Sequence, residues 1–502
     1  MNKTDKIMDI AAKRGFFYPS AEIYGSKAGF WTYGHLGTRI KHKWQNLWRE
    51  FFLGLNNNFF EVEDCNILPK QVFVGSGHLE NFNDPLTECN KCHFRFRADD
   101  LIEDALDINA EGIDEEAMTK LIEDNMLLCP KCQSKLLPVR MFNMMFDLKV
   151  GATGDDVMYL RPETAQAPFL AFKREFNALR KKIPMGLAVI GKAFRNEISP
   201  RQGFFRLREF SQAELQIFFD ADKINEAEDW NSVKDYKLRL FTVKDRKTKK
   251  IQEVSCKDAN TKLKIPKFYV YHLAKVQQFY LDALKVQKEN FRFRELDAKE
   301  RAFYNKIHFD VELNLETLKG FKEVAGVHYR TNHDLGGHQK CSKENLEVFV
   351  DEKRFVPHVL ELSFGVDRNV WALLDIFYKE EKERALFTFP QNVAPIDVAV
   401  FPLVKKDNLP EKAQEIFKDL TKSFKTFYDE SGSVGKRYRR QDEIGTIYCV
   451  TVDHDTLDKN TVTIRDRDSM KQIKVDVKEL VNVLNKLICC ELKFEKAGSL
   501  IK

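Results

Sequence analysis

Two strand-like runs facing each other across a basic loop constrain this chain more than any other feature. Met185 to Phe194 is apolar, Glu209 to Phe219 alternates, and Ser199-Pro200 with Gly203 marks a loop between them. The pattern predicts an antiparallel hairpin. Its loop and flanks carry Arg195, Arg201, Arg206 and Arg208. Side chains two apart on a strand share a face, which pairs Arg195 with Glu197 and aligns Phe210, Gln212 and Glu214. Guanidinium forks, carboxylates and an aromatic ring suit a ligand that joins triphosphate, base and ammonium. A solvated basic hairpin would read the same way, so this stretch alone leaves both open.

The chain has 502 residues, enough for about three domains with sizeable cores. Its 43% hydrophobic and 31% charged residues describe an ordinary globular protein. A net charge of +5 excludes a polycation, so nucleic acid must be gripped by local basic surfaces. The first residues, MNKTDKIMDIAAKRGFF, hold no apolar signal region, and no run of ~18 apolar residues follows. A cytoplasmic protein with no membrane contact is the expectation.

Four of the ten cysteines stand in two CxxC pairs, Cys89-Cys92 and Cys129-Cys132. This is the spacing of a closed tetrahedral thiolate site, and the CPxC form of the second pair points to structural Zn2+. An acidic, helix-like insert, Asp99 to Asn125, lies between the pairs. Upstream, Arg39 to Leu53 predicts an amphipathic helix, and Phe59 to Leu68 a strand ending at Pro69. That order is compatible with a dimer-forming unit and equally with an ordinary core helix and strand.

Tyr159 to Gln166 opens a helical stretch whose basic residues read as a solvated face. From Asp220 to about Glu300 the pattern weakens and reads as an insertion. It sharpens in GFKEVAGVHYRTNHDLGGH, ending at His338, and again in PHVLELSFGVDR, Pro357 to Arg368. There Leu360, Leu362 and Phe364 share a face that looks to a core, and Glu361, Ser363 and Gly365 share the face that lines a site. Arg368 falls at a helix N-terminus, where a cation is disfavoured unless an anion holds it. Beyond Pro390–Pro395, alternating strands and helices predict an α/β domain. Its densest basic element runs from Gly435 to Arg440, with Tyr438 interleaved, which suits single-stranded RNA.

Taken together, these stretches resemble the glycyl-tRNA synthetases of the homodimeric type, within class II of the aminoacyl-tRNA synthetases. Motif 2 resembles Phe194-Arg195-Asn196-Glu197 through Phe205-Arg206-Leu207-Arg208-Glu209-Phe210. Motif 3 resembles Gly365-Val366-Asp367-Arg368, and Pro69 stands for the motif 1 proline. GHLENFNDP (Gly77 to Pro85), RPETAQ (Arg161 to Gln166), APIDVAVFPLV and SGSVGKRYRRQDEIGT carry the likeness to the glycine enzyme in particular.

The resemblance implies an α+β catalytic domain over 1–390, built on a mixed, mainly antiparallel sheet. It carries a zinc-knuckle insertion at 86–135 and a further insertion at 220–300. A C-terminal α/β anticodon-binding domain covers 391–502. Glycine would be activated with ATP and Mg2+, then transferred to tRNA(Gly) by a homodimer; DNA is not an expected partner. Arg195, Glu197 and Arg368 are the implied catalytic residues. The motif residues, Asn196, Phe205, Arg206, Leu207, Arg208, Glu209, Phe210, Gly365, Val366 and Asp367 with Glu323 and Val324, are implied for ATP. For glycine the resemblance implies Arg97, Glu163, Phe210, Ser211, Gln212, Ala213, Glu214, Glu361, Leu362, Ser363, Phe364 and Gly365. Lys436, Arg437, Arg439 and Arg440 would meet tRNA. One departure is Glu361-Leu362-Ser363, where many members of the family have Glu-Pro-Ser.

Competing readings are a class II synthetase for threonine, proline or histidine, and a non-catalytic accessory subunit with a synthetase-like fold. The first lacks a use for GHLENFNDP and RPETAQ. The second is expected to lose the ATP-site arginines, all of which remain.

Overall fold

The computed structural model describes residues 2–108, 110, 112–200, 203–302 and 304–501, so Arg201 lies outside the described residues. Two compact units divide the chain. Pro19–Trp31 with Trp48–Trp371 forms the larger; Met1–Tyr18, Thr32–Leu47 and Ala372–Lys502 form the smaller.

The larger unit is built on a sheet of nine strands among the described residues. In chain order these are β1 (Phe59–Glu61), β2 (Met185–Phe194), β3 (Glu209–Phe219), β4 (Lys237–Phe241), β5 (Gln252–Ser255), β6 (Phe291–Glu295), β7 (Ile307–Leu315), β8 (Gly320–Thr331) and β9 (His358–Gly365). Across the sheet they run β5-β4-β6-β7-β8-β9-β3-β2-β1. Only β1–β2 and β4–β6 pair in parallel; the other neighbours are antiparallel, as the mixed-sheet expectation required.

β2 and β3 form the expected hairpin, with Gly191 opposite Gln212 and Phe194 opposite Glu209. β3 is then flanked by β9, with Gln212 opposite Gly365, Glu214 opposite Ser363 and Gln216 opposite Glu361. The period-2 alternation of β3 divides two cores. On the face of Gln212, Glu214 and Gln216, Phe218 stacks on Phe172 at 4.4 Å, within the cluster that helix Gln166–Ala178 lays against the sheet. Behind the sheet, Phe364 packs against Trp48, Phe52, Phe279 and Tyr280. On that face Gln212 and Glu214 border a cavity, and Gln216 lies deeper.

The segment 220–300 supplies β4, β5 and β6, so the three strands at one side of the main sheet come from the stretch whose pattern was weakest. Each strand spans only four or five residues, too few for alternation to stand out from the lysine-rich turns. The cysteine region has its own small core, with Cys89 and Cys129 buried beside Phe96, Ile102, Met118 and Ile122. Its acidic insert forms helices Ala98–Leu106 and Glu115–Asp124.

The smaller unit contains a second sheet: β10 (Val398–Pro402), β11 (Thr426–Tyr428), β12 (Tyr448–Val452), β13 (Thr461–Asp466), β14 (Gln472–Asp476) and β15 (Ser499–Leu500). Its order is β11-β10-β12-β13-β14-β15, parallel among the first three and antiparallel beyond. Helices Leu409–Leu420, Val434–Ile444 and Leu480–Ile488 alternate with these strands, the expected α/β pattern.

Candidate active site

Arg161 brings a second segment onto the hairpin. Its Nε donates to the Lys192 carbonyl at 2.8 Å, and the Arg161 carbonyl accepts from the Phe194 N–H at 2.9 Å. The approach is so close that a Cβ on Gly191 would stand 2.2 Å from Arg161 Nη2, so the guanidinium lies directly over this glycine. The residues that follow Arg161 are thereby delivered beside β3.

Glu163, Glu214 and Glu361 are the result: three buried carboxylates lining one cavity. Glu214 accepts from Thr164 Oγ1 (2.7 Å), Ser363 Oγ (2.6 Å) and Gln212 Nε2 (2.9 Å). Glu361 accepts from Gln216 Nε2 at 2.6 Å. The guanidinium of Arg330, fully buried, reaches Glu361 at 2.8 Å and Glu163 at 3.4 Å while forking onto Asp334. Glu163 also holds Gln166 Nε2 (2.8 Å) and lies 3.4 Å from His78 Nε2.

Burial pushes the Glu361 carboxyl up to about 8, aided by the neighbouring Glu214 and Glu163 and opposed by Arg330. Glu214 is raised by burial and by Glu163, against the hydrogen bonds of Ser363 and Thr164. Glu163 goes the other way: burial would raise it, but His78 and Arg330 hold it well below the usual carboxylate range. A dry cluster with more carboxylates than guanidinium groups is a receptor for a small cation.

The same cavity continues to a second polar group. Arg195 donates from Nε to the Pro162 carbonyl at 3.1 Å and lies 5.2 Å from the Phe210 ring centre. Glu197 accepts from Arg206 Nε at 2.9 Å. Arg368 is paired with Glu323 at 3.0 Å and lies 5.3 Å from the Phe205 ring centre, so a carboxylate is the anion at this helix start. Guanidinium forks beside aromatic faces are suited to phosphates and a planar base.

Family models match both units' sequences: "tRNA synthetase class II core domain (G, H, P, S and T)" over residues 148–377, and "Anticodon binding domain" over 397–487. A glycine–tRNA ligase of Thermococcus sibiricus is 39% identical, with 97% of this chain and 99% of that protein covered. Those of Methanothrix thermoacetophila (36%, both chains covered in full) and Methanococcus maripaludis (35%, 96% and 99%) align as completely. The chain belongs to the glycine–tRNA ligase family. It is an aminoacyl-tRNA synthetase of class II, with the class II core and anticodon-binding domains that its sequence resembles.

Within this family member, the structure sorts the expected site residues by place. Glu163, Arg195, Glu197, Phe205, Arg206, Leu207, Phe210, Ser211, Gln212, Glu214, Glu323, Glu361, Ser363, Gly365, Asp367 and Arg368 line the cavity. Ala213, Val324, Leu362, Phe364 and Val366 are buried and not in its lining. Asp367 accepts from the Ser211 N–H and so ties β3 to the start of helix Val366–Phe377. Asn196, Arg208 and Glu209 lie off the lining. The Asn196 N–H donates to the Met144 carbonyl, Glu209 pairs with Lys192 at 3.0 Å, and Arg208 braces the loop by donating to the carbonyls of Glu197 and Ala28. Arg97 lines a neighbouring cavity, where it pairs with Asp84 at 3.2 Å and with Asp99; Arg206 borders both cavities.

Arg330, Gln216, Tyr304 and His328 were missed as site residues. Arg330 and His328 stand in the HYRTNHD stretch, whose mixed polarity carries no period. The four cysteine sulfurs lie within 4.8 Å of one another, a separation that fits one metal ion held by four thiolates. Lys91 and Cys92 N–H groups donate to Cys89 Sγ at 3.5 Å, the knuckle geometry expected of CxxC.

The basic element of the smaller unit is a helix, Val434–Ile444. Arg437 is buried and donates to the Pro402 and Gly432 carbonyls. Tyr438 bonds Thr451 and packs on Phe401, which leaves its ring committed to the sheet. Arg440 pairs with Asp429 at 2.7 Å, while Lys436 and Arg439 are exposed.

Proposed function

We propose that the chain joins glycine to ATP, forming glycyl-adenylate and pyrophosphate, and then transfers the glycyl group to the 3′-end of tRNA(Gly). The observation that carries this reading is one cavity with a buried carboxylate cage at one end and arginines beside aromatic rings at the other. The cage of Glu163, Glu214 and Glu361 takes the ammonium. A glycine carboxylate oxygen attacks the α-phosphorus, the new O–P bond forms, and the bond to the bridging oxygen breaks so that pyrophosphate leaves with the electron pair.

Arg195 binds the α-phosphate, Glu197 the adenine amino group, and Phe210 one face of adenine, with Arg368 across the other face. These groups act by positioning and by cancelling charge as it develops. Glu323 is the side chain that fits Mg2+, because a hard cation takes one or two carboxylates together with the substrate phosphates. Held by Glu323 and the substrate phosphates, Mg2+ would supply positive charge against the phosphate oxygens. Structural Zn2+ suits the four thiolates. Lys436, Arg439 and Arg440 on helix Val434–Ile444 are the proposed tRNA contacts, with Arg437 supporting that helix from inside. A homodimer and a cytoplasmic location complete the reading; no helix among the described residues is long and apolar enough to cross a membrane.

Pyrophosphate exchange into ATP with each of the twenty amino acids, followed by charging of purified tRNA, tests the proposal. Glycine alone should support exchange. Exchange dependent on another amino acid overturns the substrate, and no exchange by the folded protein favours an accessory role.

A further inference from the structure

Gly326 and His328 both line the active-site cavity from β8, with Gly326 opposite Ser363 and His328 opposite Glu361. The two positions share one volume. A Cβ on Gly326 would lie 2.4 Å from His328 Nε2 and 3.0 Å from its Cε1. The imidazole therefore leans along the strand and occupies the space above Gly326 that a side chain there would fill.

Neighbours on three sides hold the ring in that place. His308 stands behind it with ring centres 4.0 Å apart, and His308 Nε2 is itself 3.0 Å from Asp310 Oδ1. Asn305 Nδ2 lies 3.0 Å from His328 Nδ1. On the cavity side His328 Nε2 is 3.6 Å from Glu361 Oε1. Burial, with the charges of His308 and Arg330, holds His328 well below the ordinary histidine range, so the ring is neutral near pH 7. An amide N–H donated to Nδ1 leaves the ring proton on Nε2, the atom that faces Glu361.

The geometry points to His328 as a specificity-determining residue: its ring, propped by His308 and Asn305, walls the amino-acid end of the cavity against a substrate with a Cβ. This rests on the glycine reading proposed above. The ammonium is fixed by Glu163, Glu214 and Glu361, and Ser363 is bonded to Glu214. The imidazole over Gly326 thus stands beside the cage, where the α-carbon of a caged amino acid must pass. Rejecting a larger substrate by overlap needs a wall that does not yield, and His308 directly behind the ring blocks its retreat. A small residue at 328 would open a space of about imidazole size, enough for a methyl or hydroxymethyl group.

The test is pyrophosphate exchange with glycine, alanine and serine by the full-length chain and its His328→Ala and His328→Ser variants, with thermal melting as the check on folding. The relative kcat/KM for alanine over glycine should rise about tenfold or more in both variants, the scale of one methyl group in a shaped pocket. Asn305→Ala and His308→Ala, which free the ring without deleting it, should show the same gain in smaller measure. They decide the matter if the His328 variants fail to fold. Folded variants that discriminate against alanine as strongly as the wild type overturn the inference, as does loss of glycine activation with no gain for alanine. A wild-type chain that shows no glycine-dependent exchange refutes the glycine reading itself, whereas glycine activation by the wild type with unchanged selectivity in every variant refutes only the role of His328.

Discussion

Arg330 Nη1 lies 2.8 Å from Glu361 Oε2, and both side chains are sealed from solvent. The same guanidinium forks onto Asp334 and reaches Glu163, so one cation holds acids from three separate stretches of sequence. Around it, Phe169 and Tyr304 close the guanidinium faces at 5.2 and 4.1 Å. Two of the three cage carboxylates, Glu163 and Glu361, therefore share one guanidinium, while Glu214 is held by Thr164, Ser363 and Gln212.

Removing the Arg330 side chain leaves Asp334 and Glu361 without their guanidinium partner. Arg330→Met should destabilise the larger unit by about 3–5 kcal/mol, the usual cost of breaking a buried pair from one side. Urea denaturation followed by tryptophan fluorescence checks it, and an unchanged midpoint would show that Arg330 is dispensable. Glycine-dependent exchange should fall in parallel, because Glu361 and Glu163 lose their common anchor.

Glu361 gives a pH dependence of definite sign. Its folded carboxyl is raised from 4.5 to about 8, chiefly by burial. In the empty protein the stability linked to this proton is complete below 4.5 and is lost as pH climbs toward 8. Ammonium binding needs the carboxylate, so the glycine KM should fall as pH rises from 6 toward 8 and then level. Exchange kinetics across that range measure it. Glu361→Gln should flatten the profile and raise KM; a KM that climbs with pH in the wild type would contradict the assignment.

The alternation of Phe210, Gln212 and Glu214 and of Glu361, Ser363 and Gly365 was legible because strand periodicity fixes a face without knowledge of the neighbour. The spacing of Cys89, Cys92, Cys129 and Cys132 was legible because chelation by CxxC is local. Arg330 was not, since its meaning comes from Glu163 and Glu361, both far away in sequence and joined only by the sheet order. The strands Lys237–Phe241 and Gln252–Ser255 were hidden by their shortness. Arg437 looked like its basic neighbours, and only the helix phase that turns it inward distinguishes it.

The thiolate cluster should behave as a structural site. Metal analysis of the purified chain should find one zinc per chain, and Co2+ exchanged into it should show the absorption of a tetrahedral thiolate complex. Cys129→Ser should loosen the small core in which Cys89 and Cys129 are buried, seen as proteolysis within residues 86–135. Protein free of metal yet resistant to protease there would mean that the cysteines are not ligands.

Helix Val434–Ile444 separates a supporting arginine from surface ones. Arg437 spends its guanidinium on the Pro402 and Gly432 carbonyls, so Arg437→Ala should lower the melting temperature of the smaller unit. Lys436 and Arg439 are exposed, and Arg439 lies 3.4 Å from Glu383. The double variant Lys436→Ala, Arg439→Ala should raise the KM for tRNA in charging while leaving glycine-dependent exchange intact. Each lost phosphate contact should also reduce the log–log salt slope of tRNA binding by about 0.7–0.9. Arg440→Ala should weaken charging as well, yet its effect is mixed, because it also releases Asp429 and the Ser431 carbonyl. If exchange falls as far as charging in the double variant, this helix does not serve as a tRNA surface.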